Sequence, residues 1–585
     1  MMDSIRHAMQ ASKRWRESPL LTRFEAQIAS LSPGDKVIAG VLASLVVVTS
    51  LIALFALKNT LLVEVPTYGG SLTEGIVGSP RFVNPLLALS DADRDVTELT
   101  YAGLMGVGED GALVPVLAES YDITEGGTVY TFILREGLEF SDGSPLTAED
   151  VVFTVLKAQD SGLKSPVRAN WEGVLVEAVD ARTVRFTLPK AYAPFLENAR
   201  MGILPARLWR NISNEEFPFS TLQTEPVGAG PFVVSGVGRN ASGIIDTYKL
   251  VANKKFAIGR PYLDTIRLSF FAQESDVRKA LLSGAVDSAY GVIVPEQSGR
   301  TIFSVPYSRV FGVFFNASEN PLFARSEVRK ALSLSLDRET LVEEVLGGTA
   351  SPAAGPVPPG TLSEDTPIPT GTLEERVAEA AEVLEKGGWT YDVENRIWAR
   401  GTGSSRTELH FTLKTSNVSE LKAVAGAVKD MWEKLGVPVS IELYEPGDLN
   451  QNIIRPRSYE ALLFGMVVGR DRDLYAFWHS SQRNDPGLNI ALYANKAVDA
   501  LLDKERAASD ASERDGYLKD IQEQVAADYP AAFTHTPDFV YTVPRGLRGV
   551  ALTQIAAPSD RFARIAYWYR QTDAVWPFFI RASGE

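Results

Sequence analysis

The chain has 585 residues, 45% hydrophobic and 22% charged, so it is long enough for about two to four structural units and too apolar to be disordered. Its formal net charge of −15 would repel phosphate backbones, which argues against nucleic acid as a partner. The absence of cysteine excludes disulfides, cysteine-ligated iron–sulfur clusters, cysteine nucleophiles and a lipid-modified N-terminal cysteine.

A long apolar segment follows the N-terminal arm. Residues 37–57 form a run of 21 positions without a charged side chain. At about 1.5 Å per residue, a helix of this length spans roughly 30 Å, the hydrocarbon thickness of a bilayer. We therefore predict a transmembrane anchor over 37–57. A cleaved signal peptide is the main alternative, but its apolar region is about 7–15 residues long, and the end of this run, Phe55 to Asn59, offers no small-x-small cleavage site.

The flanking charges predict the orientation of this helix. Residues 1–36 carry six Lys/Arg and four Asp/Glu, a net charge of +2, whereas the rest of the chain has a net charge of −17. Basic flanks stay in the cytoplasm. We therefore expect a cytoplasmic basic arm over 1–36 and an extracytoplasmic body, in a single-pass protein of the cell membrane.

Beyond residue 65, strand-like and helix-like patterns are mixed. Residues 130–134 and 184–188 alternate as strands do. Thr147 to Asp150 form a capping box in front of an apolar run, and Asp337 and Thr372 also begin helical patterns. Strands followed by helices predict an α/β body with several sheets.

The sequence offers little catalytic chemistry. Outside the arm, the histidines are His410, His479 and His535, far apart and in no His-Glu-x-x-His motif. The Gly228-Ala-Gly230 string lacks the lysine and the strand–loop–helix setting of a phosphate loop, and there is no Gly-x-Ser-x-Gly motif. We therefore predict that the protein is not an enzyme and has no catalytic residue, metal site or cofactor.

Two groups of residues remain candidates for a functional site. The paired acids Asp471 and Asp473 could do acid–base work, or they could be solvated loop acids. Aromatic residues supply rigid contact area in binding sites, but they also pack cores. They are concentrated in two segments: Tyr307, Phe311, Phe314 and Phe315, and then Tyr475, Phe477 and Trp478.

Three motifs are more specific, namely Val116–Tyr121, Tyr130–Arg135 and Phe140–Val152. Almost position for position, they resemble the signature of the bacterial extracellular solute-binding proteins of family 5, the oligopeptide-, dipeptide- and nickel-binding components of ABC importers. Gly228–Phe232 and Val328–Ala331 are similar to further elements of that family. The motif residues suit turns and helix caps, so they identify the fold rather than the ligand.

The resemblance implies an α/β periplasmic-binding-protein-like fold of the two-lobed flytrap type (type II) with an extra inserted domain. Domain I would comprise 65–104, 226–312 and 536–585, domain II the insertion 105–225, and domain III 313–535. A ligand would be enclosed between domains I and III, and closure would present it to a membrane permease with cytoplasmic ATPase subunits.

The resemblance also implies where a peptide would bind. Peptide-binding members hold the ligand as an added strand and pair its α-ammonium with an aspartate of domain III. The corresponding place falls at Val468 or Gly469, which carry no charge. Either Asp471 or Asp473 replaces that aspartate, or a free amino terminus is not recognised. The candidate ligand-binding residues are Glu74, Tyr290, Tyr307, Phe311, Phe314, Met466, Val467, Arg470, Asp471, Asp473, Tyr475 and Trp478.

We therefore expect a membrane-anchored extracytoplasmic protein that captures peptides for an ABC permease and its ATPases. One alternative is the same fold with another solute, such as a sugar, an opine or a metal chelate, although scarce histidine disfavours nickel itself. A second alternative is a tethered sensor or chaperone that keeps the fold.

Overall fold

The computed structural model describes residue 27 and residues 29–295, 299–362, 364–508, 510–553 and 555–576. Contacts divide the chain into one unit made of Met1–Thr67 with Gln571–Glu585 and a second unit, the body, Tyr68–Arg570. In chain order, the helices of nine or more residues in these ranges are α1 (Pro33–Leu61), α2 (Asp91–Thr100), α3 (Ala148–Gln159), α4 (Glu274–Ser283), α5 (Ser326–Leu334), α6 (Leu373–Lys386), α7 (Ser419–Leu435), α8 (Lys496–Ala507) and α9 (Ala511–Asp528).

Strands occur in both units. In chain order, the strands are β1 (Val63–Thr67), β2 (Ser71–Val77), β3 (Met105–Val107), β4 (Leu113–Pro115), β5 (Ala118–Thr124), β6 (Val129–Leu134), β7 (Leu175–Ala178), β8 (Thr183–Thr187), β9 (Phe232–Arg239), β10 (Ile245–Ala252), β11 (Thr265–Phe271), β12 (Ser288–Tyr290), β13 (Arg300–Pro306), β14 (Arg309–Phe315), β15 (Ala350–Pro352), β16 (Thr390–Asp392), β17 (Ile397–Arg400), β18 (Thr407–Glu408), β19 (Phe411–Ser416), β20 (Val439–Tyr444), β21 (Ala461–Val467), β22 (Ala531–Pro544) and β23 (Gln571–Val575).

The smaller unit contains α1 and a two-stranded ribbon. The predicted apolar helix is present and extends beyond 37–57 at both ends. Ser32 accepts a hydrogen bond from the Asp35 N–H (3.2 Å), which caps the first turn. Within α1, the stretch Pro33–Ile52 is long and apolar enough to cross a membrane, judged by length and composition. Residues 1–26 and residue 28 of the predicted arm 1–36 lie outside the described residues. Just after α1, β1 pairs antiparallel with β23, so Val63 faces Val575.

One long strand organises the body. The 14-residue β22 pairs through its first half with β14 and β15, and through its second half with β12 and β13. The first lobe is therefore built around β2 and β9–β13, and the second lobe around β14, β15 and β19–β21, within one continuous sheet. Both lobes combine parallel and antiparallel pairs, which confirms the predicted α/β fold.

The second lobe buries both faces of its sheet. On β14, Val313 and Phe315 point to one face, and Phe314 points to the other, because side chains alternate along a strand. Helix α7 packs its buried Val424 and Val428 on the first face. Helices α8 and α9 cover the second face, where Phe314, Met466 and Trp478 are at most 1% exposed.

The predicted insertion 105–225, which we call the inserted segment, contains an antiparallel sheet of its own in the order β5–β6–β8–β7. It contains both strands that were predicted over 130–134 and 184–188. The predicted capping box is also present, since the Thr147 backbone N–H donates to Asp150 Oδ2 (2.9 Å) at the start of α3. This segment shares one hydrophobic core with the first lobe. The three-domain division at 65, 105, 226, 313 and 536 stays a prediction.

Candidate functional site

A cavity of about 420 Å³ lies where the two lobes meet, and we call it the cleft. The first lobe contributes α2 and residues 556–560, the inserted segment contributes residues 197–202, and the second lobe contributes Arg470 and Asp471. The volume falls in the range of small-ligand sites, about 300–1,000 Å³. Arg470 and Asp471, two of the predicted site residues, therefore line a space between the lobes that is large enough for a ligand.

The loop after β21 gives Asp471 an unusual position. Gly469 has φ +78°, in the left-handed region that favours glycine. A Cβ on Gly469 would lie 2.7 Å from Asp471 Oδ1. The carboxylate of Asp471 therefore folds back over residue 469 and occupies the space that a side chain there would need.

Asp471 has no cationic partner among the described residues. Its Oδ1 accepts a 3.4 Å hydrogen bond from the Asp473 backbone N–H. Among the described residues, no Lys, Arg or His nitrogen lies within 4.0 Å of its carboxylate: the nearby Arg514 donates to the backbone carbonyl of Asp471 (3.1 Å) and pairs with Glu505. Burial raises the pKa of Asp471 from 3.8 to about 7, and the Asp473 carboxylate adds to that rise.

Asp473, in contrast, is held by Arg506. The Arg506 Nε lies 3.0 Å from both carboxylate oxygens of Asp473, and its Nη2 lies 2.5 Å from one of them. The guanidinium carbon of Arg506 lies 3.8 Å from the centre of the Tyr475 ring. From the inserted segment, the Tyr192 hydroxyl donates to Asp473 over 3.4 Å. Asp473 thus links the second lobe to the inserted segment, and Tyr475 packs on the arginine that neutralises it.

Opposite Asp471, the wall of the cleft is charged. Glu98, on α2, lines the cleft, and burial raises the pKa of its carboxyl group. Arg200 pairs with Glu197 (3.1 Å) and Asp560 (3.0 Å). Arg470 crosses to this side, since its Nη2 donates to the Gly111 carbonyl over 3.0 Å. Sequence reasoning did not single out Glu98, Arg200 or Asp560, because they come together only through contacts of long sequence separation.

Two predicted tyrosines line a smaller pocket of about 190 Å³ near β22. The Tyr290 ring stacks on Phe539, and its hydroxyl donates to Asp91 (3.0 Å). Arg309 Nη2 donates to the Tyr307 hydroxyl (2.7 Å). This pocket shares no lining residue with the cleft. The structure therefore places Tyr290 and Tyr307 where the lobes join, apart from Asp471.

Five other candidates lie on β14 or β21 or pack against them. Phe314, Met466 and Trp478 are core residues of the second lobe. The position of Phe311 is fixed by stacking on His535, with ring centres 4.9 Å apart. Val467, at the end of β21, is 46% exposed. Only Val467 of these presents a free surface.

Glu74 lies in a buried ion cluster. Arg561 Nε donates to its Oε1 (3.0 Å), while Tyr541 and Ser288 donate to its Oε2. The same guanidinium binds Asp95 at 2.8 and 2.7 Å. Glu74, Asp95 and Arg561 are at most 1% exposed, so this cluster leaves Glu74 no atom for a ligand and holds β2 to residues 558–561.

Metal binding finds no support in the described part of the chain, where no group of three or more His, Cys, Asp or Glu residues is placed to hold an ion.

The sequence profile described as "Bacterial extracellular solute-binding proteins, family 5 Middle" matches residues 112–486. The oligopeptide-binding protein AppA of Bacillus subtilis is 27% identical over 500 residues, covering 83% of this chain and 89% of AppA. The structure of that AppA in complex with a nonapeptide aligns at 26% identity with a TM-score of 0.66, covering 86% of this chain and 99% of AppA. The ABC transporter substrate-binding protein CtaP of Listeria monocytogenes also aligns at 26% identity, with a TM-score of 0.71 and coverage of 86% and 100%.

Proposed function

Because this chain belongs to the family 5 bacterial extracellular solute-binding proteins, we propose that it captures peptides between its two lobes and delivers them to an ABC permease and its ATPases. The observation that carries this proposal is the unpaired carboxylate of Asp471 in the cleft. An ion pair with the α-ammonium of a peptide would satisfy that carboxylate, and burial would make the pair strong.

The position of Asp471 supports this role. By resemblance, the aspartate that pairs with a peptide α-ammonium belongs at Val468 or Gly469. The Asp471 carboxylate reaches the space next to the Gly469 α-carbon because residue 469 has no side chain. Asp471 therefore supplies at residue 469 the charge that the sequence there lacks. Asp473 is a weaker candidate because Arg506 already neutralises it.

The names of the relatives point to the same class of ligand. AppA of Bacillus subtilis is an oligopeptide-binding protein, and its aligned structure holds a nonapeptide. The coverage of 99% of the AppA structure means that this chain has counterparts for nearly the whole peptide-binding body.

We further propose that α1 anchors the body outside the cytoplasmic membrane. Its apolar stretch is followed directly by the ribbon β1–β23, so the chain would leave the bilayer close to residue 63. Tethering would keep the body at a high local concentration near a permease in the same membrane.

A thermal-shift screen of the full-length protein in detergent tests the choice of ligand. Mixed-sequence free peptides, the same peptides N-acetylated, sugars and nickel chelates are compared at equal concentration. A ligand present at 100 times its dissociation constant adds about 2.7 kcal/mol of stability. We expect an upward shift with free peptides and a much smaller one with acetylated peptides. A shift with sugars or chelates alone, or with none of the pools, would rule out peptide capture.

A further inference from the structure

The ribbon β1–β23 brings the chain back to the end of α1. Helix α1 ends at Leu61, and β1 begins two residues later at Val63. The pairing is antiparallel, so β1 runs away from α1 and β23 runs back toward it. Val575, the last residue of β23, is the partner of Val63, whereas Gln571, the first, is the partner of Thr67. The chain therefore leaves the ribbon beside the point where α1 ends.

The residues that follow are apolar and aromatic. Positions 576–580 read Trp-Pro-Phe-Phe-Ile, and no charged side chain occurs between Asp573 and Arg581. Aromatic residues make up 9% of the whole chain but three of these five positions. Such a run has to be buried in protein or in lipid, because a large apolar surface is unfavourable in water. Trp576 is partly buried, and residues 577–585 lie outside the described residues.

The position of this run favours lipid. With the anchor over 37–57, Lys58 marks the outer edge of the hydrocarbon, because lysine at the end of a transmembrane helix extends toward the headgroups. At about 1.5 Å per helical residue and about 3.3 Å per extended residue, Val63 lies at most roughly 11 Å from Lys58. An extended run over 576–580 covers roughly 16 Å from Val575. The run is therefore long enough to reach the acyl chains from the end of the ribbon.

The residue types also suit a membrane surface. Tryptophan is enriched at the membrane–water interface, where its ring is buried and its N–H stays hydrated. Phenylalanine and isoleucine supply the apolar surface that enters the boundary of the acyl chains. Arg581 follows directly, and a long arginine side chain reaches lipid phosphates from a partly buried position. Pro577 disfavours a helical conformation at Trp576, which favours an extended exit from β23.

We propose that residues 576–581 bind the outer surface of the membrane as a second contact beside α1. Trp576 would lie among the headgroups, and residues 578–580 would enter the boundary of the acyl chains. This rests on the proposed anchoring of the body by α1. A short interfacial segment binds lipid weakly and reversibly on its own, so α1 remains the anchor. The body would then be tethered through both strands of the ribbon, which limits its reach and raises its local concentration near a permease.

Site-specific fluorescence in proteoliposomes tests this contact, because the chain has no cysteine and a single introduced cysteine takes the label alone. Phe579→Cys in the full-length protein carries an environment-sensitive dye, and the vesicles contain lipids with a nitroxide near the headgroup end of the acyl chain. We expect blue-shifted emission and a strong loss of its intensity in the nitroxide vesicles. Leu51→Cys, inside α1, reports on the anchor itself and should be quenched as well.

Two controls accompany these labels. Gln571→Cys is the matched control, because Gln571 lies at the opposite end of β23 and pairs with Thr67. Phe219→Cys replaces a phenylalanine of the body that is 86% exposed. Both should lose far less emission than Phe579→Cys. Adding Phe578→Asp and Ile580→Asp to Phe579→Cys should abolish the quenching, because carboxylates are costly in the acyl chains.

Quenching at residue 51 with no more quenching at residue 579 than at residue 571 would overturn the second contact and leave the anchor standing. No quenching at either residue 51 or residue 579 would overturn both. Unchanged quenching after the two aspartate substitutions would show that the dye, and not the segment, enters the membrane, and would also contradict the proposed contact.

Discussion

Replacing Asp471 by asparagine should weaken peptide binding and stabilise the free protein. The substitution keeps the shape of the side chain and removes its charge. In the complex, the peptide ammonium would lose its partner inside the cleft. Truncating one partner of a buried, hydrogen-bonded charge pair costs about 2–5 kcal/mol, so we expect the affinity to fall by at least about thirtyfold.

In the free protein the effect should have the opposite sign. The pKa of Asp471 rises from 3.8 to about 7 on folding. Because the folded state disfavours the ionised form of this acid, stability is lost as the pH rises through this interval, and the loss is complete above pH 7. At about 1.4 kcal/mol per pKa unit, the ionised carboxylate costs the free protein on the order of 4 kcal/mol. Asp471→Asn removes that cost, so its melting temperature should exceed that of the wild type by several degrees at pH 8 and by little at pH 4.

The same residue should make binding depend on pH. Below pH 7 the free wild type must release a proton from Asp471 before it can pair with the ammonium. Its affinity should therefore fall by up to about tenfold for each pH unit below 7. Titration calorimetry at several pH values measures the loss of affinity and the pH dependence of binding. Thermal unfolding of the ligand-free protein measures the change in stability. If Asp471→Asn binds peptides as the wild type does, or if its melting temperature shows the same pH dependence, Asp471 is not the unpaired acid of the cleft.

Other parts of the structure predict different outcomes. Asp473→Asn should lower the free energy of unfolding in urea by on the order of 2–3 kcal/mol, because it leaves Arg506 unpaired in a partly buried site. A loss of peptide affinity as large as that of Asp471→Asn would show that the two acids have been assigned the wrong roles. Glu74→Gln should destabilise the body by about 3 kcal/mol without changing peptide affinity, since it breaks the buried pair with Arg561. An altered affinity at equal stability would place Glu74 in the site. Deleting residues 1–60 should move the protein from the membrane fraction to the soluble fraction, and aggregation of that variant would count against an independently folded body.

The scaffold could be predicted from the sequence because its signals are local. The capping boxes at Thr147 and Thr372 need only residues three positions apart, and both are present. The apolar run 37–57 identified α1 in the same way, although the helix extends further than the uncharged stretch at both ends.

The site could be predicted only in part, because its assignment depends on distant partners. Asp471 and Asp473 look alike in the sequence, and what separates them is Arg506, 33 residues after Asp473. By resemblance, Glu74 belongs to a strand that flanks the ligand. In the structure it is paired with Arg561, which lies 487 residues away along the chain. Alternation along a strand indicates which side chains are inside, and it does not show whether a buried acid already has its counterion.

Calorimetric titration of the full-length wild type with one peptide in its free and N-acetylated forms tests the central claim most directly. Acetylation removes the ammonium that Asp471 is proposed to bind and changes little else. The free peptide should bind, and the acetylated peptide should bind at least about tenfold more weakly. Equal affinities would contradict recognition of the amino end by Asp471, and the absence of binding by either form would contradict peptide capture itself.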